Sequence, residues 1–212
     1  MTTSSQFAHH FEIRSDTTYL NHGSFGITPT CVKKVRDEWT RKLEEQPMDF
    51  LCRVQTDAIH DAKQHLAEFL NTAASNLAFV DNATSAINVI AGCFPLSNGD
   101  NVVITDHEYG AVHRVWQRTC EIKSAELRTA TLPKYIHDID EILDAISSAC
   151  DNNTRLIIVS HITSATAITL PIKEICERAD REGILVCVDG PHALAQLDVD
   201  LADLGCDFYT AS

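Results

Sequence analysis

Four short stretches carry the side chains best suited to chemistry: "DNATSA" from Asp81, "DHEYGA" from Asp106, "HITSAT" from His161 and "DGPHA" from Asp189. Each follows directly on a short apolar, β-branched run of the kind that forms a strand. In open α/β sheets, ligands bind beyond the carboxyl ends of the strands. The spacing therefore predicts one crevice lined by Asn82, Thr84, His107, Tyr109, His161, Ser164, Asp189 and His192.

The chemistry open to each differs. "DNATSAINV" puts small and hydroxyl residues at a helix start, where free N–H groups and the helix dipole favour an anion such as phosphate. The alternative is an ordinary N-cap by Asn82 or Thr84. Asp189 ends a wholly apolar run, an expensive place for a carboxylate without a cation or donor beside it. It either caps a helix in "GPHALAQ" or holds a protonated ring nitrogen of a pyridine-type ligand, within reach of His192. His107 and Tyr109 each offer a flat ring for stacking. No G-x-x-x-x-G-K-[ST] loop and no G-x-G-x-x-G turn occurs, which counts against a nucleotide-binding domain. His107 and His113, six apart, would face different sides of a helix, so no metal site is expected. No G-x-S-x-G elbow supports a serine hydrolase.

From about residue 77 the sequence alternates strand-like and helical runs. The expected strands are 77–80, 101–105, 125–132, 154–160, 184–190 and 206–211, and apolar residues recur at helical spacing between them. Such β-α repetition predicts an α/β fold, a three-layer, mostly parallel doubly wound sheet with right-handed crossovers. Residues 1–75 read instead as an N-terminal arm with a Gly-rich turn, "YLNHGSFGITPT", and two helices separated by Pro47.

The 212 residues carry a net charge of −13, which argues against nucleic acid or an anionic membrane as partner. No run reaches the roughly 18 to 20 apolar residues of a membrane span, and the N-terminus lacks the pattern of a secretory signal. The eight cysteines include no C-x-x-C pair and mostly sit among apolar neighbours. They read as reduced, buried thiols of a cytoplasmic protein.

Taken in order, "YLNHGSFG", "VDNATSAIN", "ITDHEYGAV", "VSHITSATAITLPI" and "VDGPHALAQLDVDLADLGCDFYTAS" resemble the class V aminotransferase family of fold type I pyridoxal-phosphate enzymes. The nearest likeness is to the isopenicillin N epimerase-like and cysteine desulfhydrase-like branch. The resemblance implies pyridoxal 5'-phosphate as cofactor, an amino-acid-type substrate and a homodimeric parent enzyme. It assigns Ala83 and Thr84 to the cofactor phosphate, His107 or Tyr109 to ring stacking, and His161 and His192 to the phenolic oxygen. Asp189 falls to the pyridinium nitrogen, Ser212 to the phosphate, and Asn21 and His22 to the substrate entrance. In the family the Schiff-base lysine follows the small-residue turn, three places beyond Ser212, and the seven lysines present all fall away from the strand ends. The expectation is thus the N-terminal part of such an enzyme: residues 76–212 as a partial cofactor-binding large domain, with the C-terminal small domain absent. The alternative is a non-catalytic module that binds the cofactor or dimerises.

Overall fold

A computed structural model describes residues 6–23 and 25–212, so Ser24 of the Gly-rich arm lies outside the described residues. The chain forms two compact units, Met1–Glu68 and Phe69–Ser212.

The first unit is helical. Helix α1 spans Thr30–Glu45, and Pro47 opens α2, Pro47–Asp49, where its missing N–H costs nothing. A π-helical turn, Phe50–Val54, leads on into α3, Gln55–Phe69. Pro47 therefore starts the second helical run as well as ending the first. On α1, the Trp39 ring meets Phe50 edge-on at 6.0 Å, and the Lys42 ammonium lies 4.3 Å from the Trp39 ring centre.

The second unit is built on parallel strands β1 Asn101–Thr105, β2 Glu126–Ala130, β3 Thr154–Ser160, β4 Leu185–Asp189 and β5 Phe208–Thr210, in the order β2-β1-β3-β4-β5. Helices α4 Ala83–Cys93, α5 Gly110–Lys123, α6 Ile139–Ala149, α7 Ile172–Arg181 and α8 Leu201–Leu204 complete it. Side chains alternate along each strand, which splits the core in two. Val103, Ile157, Val159, Val186 and Val188 pack with α6 and α7. Val102, Ile104, Leu156, Ile158 and Cys187 pack on the other face with Ile87 of α4 and Trp116 of α5. Both faces being covered explains why β3 and β4 read as continuous apolar runs. After β1 the chain turns to β2 by α5; after β3 it turns the opposite way to β4 by α7, on the other face. The sheet's topological switch point therefore lies between β1 and β3.

Local signals set the helix ends. Asn82 accepts a hydrogen bond from the Ser85 N–H at 2.8 Å and Asp138 one from Asp140 at 3.0 Å, capping α4 and α6. Gly183, at φ +69°, closes α7 with its N–H on the Asp180 carbonyl.

Two expectations need correction. Residues 77–80 pair with no strand among the described residues, and Phe79 and Val80 are 53% and 44% exposed. An apolar run favours an extended backbone, but a strand also needs a neighbouring edge to satisfy its N–H and C=O groups. The cysteines also divide: Cys120, Cys176 and Cys187 are buried, Cys150 and Cys206 half-buried, and Cys31, Cys52 and Cys93 exposed. Apolar sequence neighbours do not tell which face of a helix a residue takes.

Replacing Ile158, wholly buried in central β3, with alanine is expected to cost about 2–5 kcal/mol in urea denaturation. Val89→Ala on α4, where Val89 is 56% exposed, should cost less than about 0.5 kcal/mol.

Candidate functional site

Parallel register sets the geometry of the site. Ser160, Asp189 and Thr210 are cross-strand partners, forming one row at the carboxyl ends of β3, β4 and β5. The ladder runs on past the row, with His161 N–H on the Asp189 carbonyl at 2.9 Å and Gly190 N–H on the Thr210 carbonyl at 2.7 Å. The Asp189 side chain is buried, and its Oδ1 accepts from the Thr210 hydroxyl at 2.7 Å. Burial pushes its carboxyl above the usual range, partly offset by the Thr210 bond and by nearby His192. The chain from Gly190 to Leu197 forms turns and no helix, so Asp189 does not cap one.

His161 is also buried, and its Nδ1 lies 2.8 Å from the Tyr209 hydroxyl of β5. Burial lowers the His161 pKa and raises that of Tyr209. Both groups are therefore neutral, and a single hydrogen bond joins Nδ1 to the phenol oxygen. The Tyr209 ring leaves no room for a β-carbon at residue 190, which explains the glycine after Asp189.

At the start of α4, the Asn82 cap satisfies Ser85, and Ala86 N–H bonds the Asn82 carbonyl. The N–H groups of Ala83 and Thr84, in the first helical turn, have no intrahelical acceptor. Ala83 is buried and the Thr84 residue exposed, and the Asn82 cap leaves those two N–H groups unused. His107 is half-buried, with Nδ1 2.9 Å from Thr166 Oγ1, whose hydroxyl lies 2.7 Å from that of Thr163. Ser164 lies in the same loop and is exposed. Tyr109 precedes α5 with its side chain 53% exposed. Ser212 is exposed, two residues past Thr210. Asn21 and His22 belong to the other unit, where both are exposed and His22 Nδ1 accepts weakly from Ile27 N–H at 3.4 Å. The row thus unites Asp189 with Thr210 and, through the adjoining ladder, His161.

Sequence reasoning passed over Glu108 and Tyr209. Glu108 Oε1 accepts from Thr105 Oγ1 at 2.7 Å and from Ser160 N–H at 3.0 Å; Oε2 accepts from Ser160 Oγ at 2.6 Å. It thereby joins the ends of β1 and β3 at the switch point. Burial, helped by the charge of Asp189 and opposed by the Ser160 and Thr105 bonds, pushes its carboxyl up to about 7. The one local sign is an acid three residues past a buried strand, which does not tell that its side chain turns inward. Among the described residues, no cluster suits a metal ion.

These features define a doubly wound α/β domain with two acids, Glu108 and Asp189, at the carboxyl ends of its central strands. The aminotransferase class-V family model matches residues 29–212, and the chain belongs to that family. It is 36% identical over 193 residues to an isopenicillin N epimerase of Streptomyces clavuligerus, covering 91% of this chain and 48% of the relative. It is 29% identical over 223 residues to a probable chloroplastic L-cysteine desulfhydrase of Arabidopsis thaliana, covering 98% of this chain and 46% of the relative. The chain spans about half the length of these relatives. Among solved structures, the cystine C-S lyase C-DES in complex with cysteine persulfide superposes with a TM-score of 0.85 at 23% identity, over 93% of this chain and 53% of that one. That likeness shows the shared fold.

Thr210→Val should cost about 1–3 kcal/mol at neutral pH by leaving the buried Asp189 carboxylate without its hydroxyl donor. Because the folded Asp189 pKa is raised, that cost should shrink as acid protonates the carboxyl, which denaturation at several pH values would show. Gly190→Ala should destabilise by about 1–3 kcal/mol and perturb the His161 imidazole resonances by displacing Tyr209.

Proposed function

We propose that this chain forms the pyridoxal 5'-phosphate-binding part of an enzyme acting on an amino acid or amino-acid-derived substrate, of the epimerase, C-S lyase or aminotransferase kind. One observation carries the reading: Asp189 is a buried carboxylate with a hydroxyl donor on one oxygen and no salt-bridge cation among the described residues. A protonated pyridine ring supplies the missing charge, so the donor set fits the cofactor. Membership of the class V family supports the same choice.

In this reading Asp189 holds the ring nitrogen in its protonated form, and Thr210 keeps the carboxylate oriented. When bound, the cofactor supplies an electron sink for charge developing at the substrate Cα. The neutral His161, braced by Tyr209, offers its Nε2 proton to an oxygen acceptor such as the cofactor's phenolic group, with His192 as a second group beside Asp189. The free N–H groups of Ala83 and Thr84, with the Thr84 and Ser212 hydroxyls, suit the phosphate. Ring stacking falls to His107, held at its edge by Thr166, or to the exposed Tyr109. Asn21 and His22 are retained as substrate-entrance residues.

A second reading is favoured by the lysines. Lys33, Lys34 and Lys42 lie on α1, Lys63 on α3, Lys123 on α5 and Lys173 on α7, while Lys134 follows β2. Lys173 is paired with Asp203. Of the second unit's lysines, Lys123, Lys134 and Lys173, none lies on β3, β4 or β5, so by itself that unit would bind the cofactor without a covalent bond and without turnover.

Absorbance and fluorescence titration with pyridoxal 5'-phosphate should show saturable binding, weakened about 10- to 100-fold by Asp189→Ala, the worth of a charged hydrogen bond. Equal affinity in the variant would remove Asp189 from the role. Borohydride reduction and peptide mapping should yield no unique lysyl adduct, and a stoichiometric adduct at one of the seven lysines would overturn the non-covalent reading.

A further inference from the structure

Glu108 is a half-buried acid that the reading above does not use. It sits where the two halves of the sheet diverge, and its carboxyl is the only side chain described as bonding both central strand ends, Thr105 of β1 and Ser160 of β3. Thr105 Oγ1 in turn accepts the His107 N–H at 3.3 Å, so the clamp also orients the segment that carries His107 and Tyr109. Ser160 is the register partner of Asp189, which brings the two acids within electrostatic reach of each other. We propose that Glu108 is a positioning residue for Asp189: it clamps β1 to β3 in its protonated form and releases that proton to solvent when Asp189 takes up a cationic ring.

The physical reason is charge balance. Two neighbouring carboxylates in a largely buried crevice do not both ionise readily, so one keeps its proton. Protonated, Glu108 donates from Oε2 to Ser160 Oγ and still accepts at Oε1 from Ser160 N–H and Thr105; ionised, Oε2 accepts from Ser160 Oγ instead. The clamp survives either state by reversing one bond. A cation on Asp189 removes the repulsion and favours the ionised form. Asp189 and Cys187 of β4 act on Glu108 electrostatically; the other titratable groups at these strand ends are Tyr209 on β5, His161 after β3, His192 after β4, and Asp106 and His107 on its own segment. Cys187 and Tyr209 are raised far from neutrality and His161 is lowered, so Glu108, at about 7, is poised to exchange its proton near physiological pH.

The inference rests on the pairing of Asp189 with a protonated pyridine ring, and its test separates the two. The full chain and its Glu108→Gln variant would be titrated with pyridoxal 5'-phosphate by calorimetry in buffers of different ionisation enthalpy. Wild type should release about half a proton more than the variant at pH 7, and its affinity relative to the variant should rise up to about tenfold between pH 6 and 8. Equal proton counts with intact binding would overturn the coupling alone; no binding by either protein at any pH would overturn the cofactor reading and the coupling together. Without ligand, the Glu108 carboxyl should titrate near neutrality in carbon-13 NMR of the wild type, a readout that does not require the variant to fold. Raised folded-state pKa means its stabilising contribution is present at low pH and lost as pH rises towards 7, so Glu108→Gln should gain stability on wild type from pH 5 to 8. Parallel stability profiles, or a carboxyl titrating near 4, would show a purely structural clamp and overturn the proposal.

Discussion

A carboxylate at the end of a strand buried on both faces is the constraint on which this domain turns. Val186, Cys187 and Val188 hold β4 between two helical layers, and Asp189 follows with no water-facing side to retreat to. The Thr210 hydroxyl answers one of its oxygens, and the parallel register of β4 and β5 is what delivers that hydroxyl. Gly190 is required because Tyr209 of β5 presses against the turn; Tyr209 is needed there because it takes Nδ1 of buried His161. Each of these residues is tied to the next by the same three strand ends.

The electrostatic consequence is a set of strand ends with acids and donors but little fixed positive charge. Asp189 and Glu108 both resist ionisation through burial, and His161 resists protonation for the same reason. The arginine ion pairs described are elsewhere, as with Arg128 to Asp151 and Arg155 to Asp100 at the opposite ends of the strands. Under the proposed function, a cationic aromatic ring with an anionic substituent would answer both counts, the ring charge at Asp189 and the anion at the N–H groups opening α4.

Most elements of the second unit were legible because their patterns are strong. β3 and β4 are continuous apolar runs bounded by polar turns, and α6 and α7 carry clean apolar stripes, with Asp138 at the start of α6 and Gly183 after the end of α7. Residues 77–80 were misread because an apolar pattern favours burial and an extended backbone but does not supply a pairing edge. Glu108 and Tyr209 escaped for a related reason. In "DHEYGA" the ring-bearing neighbours drew attention to chemistry, and nothing local says that the acid between them turns inward to Ser160, 52 residues on. In "CDFYTA" the tyrosine reads as an ordinary strand aromatic until β5 is laid beside β4.

The sequence by itself determined the order of strands and helices, the acid and histidine at successive strand ends, and the resemblance to the class V family, since these depend on periodicity and local motif. Tertiary structure decided which strand ends share a row, that Asn82 caps α4 while leaving two N–H groups free, that Thr166 holds His107, and that Glu108 bridges the switch point beside Asp189. Those outcomes depend on register and on which groups lose water together, and both arise only when strands distant in sequence become neighbours.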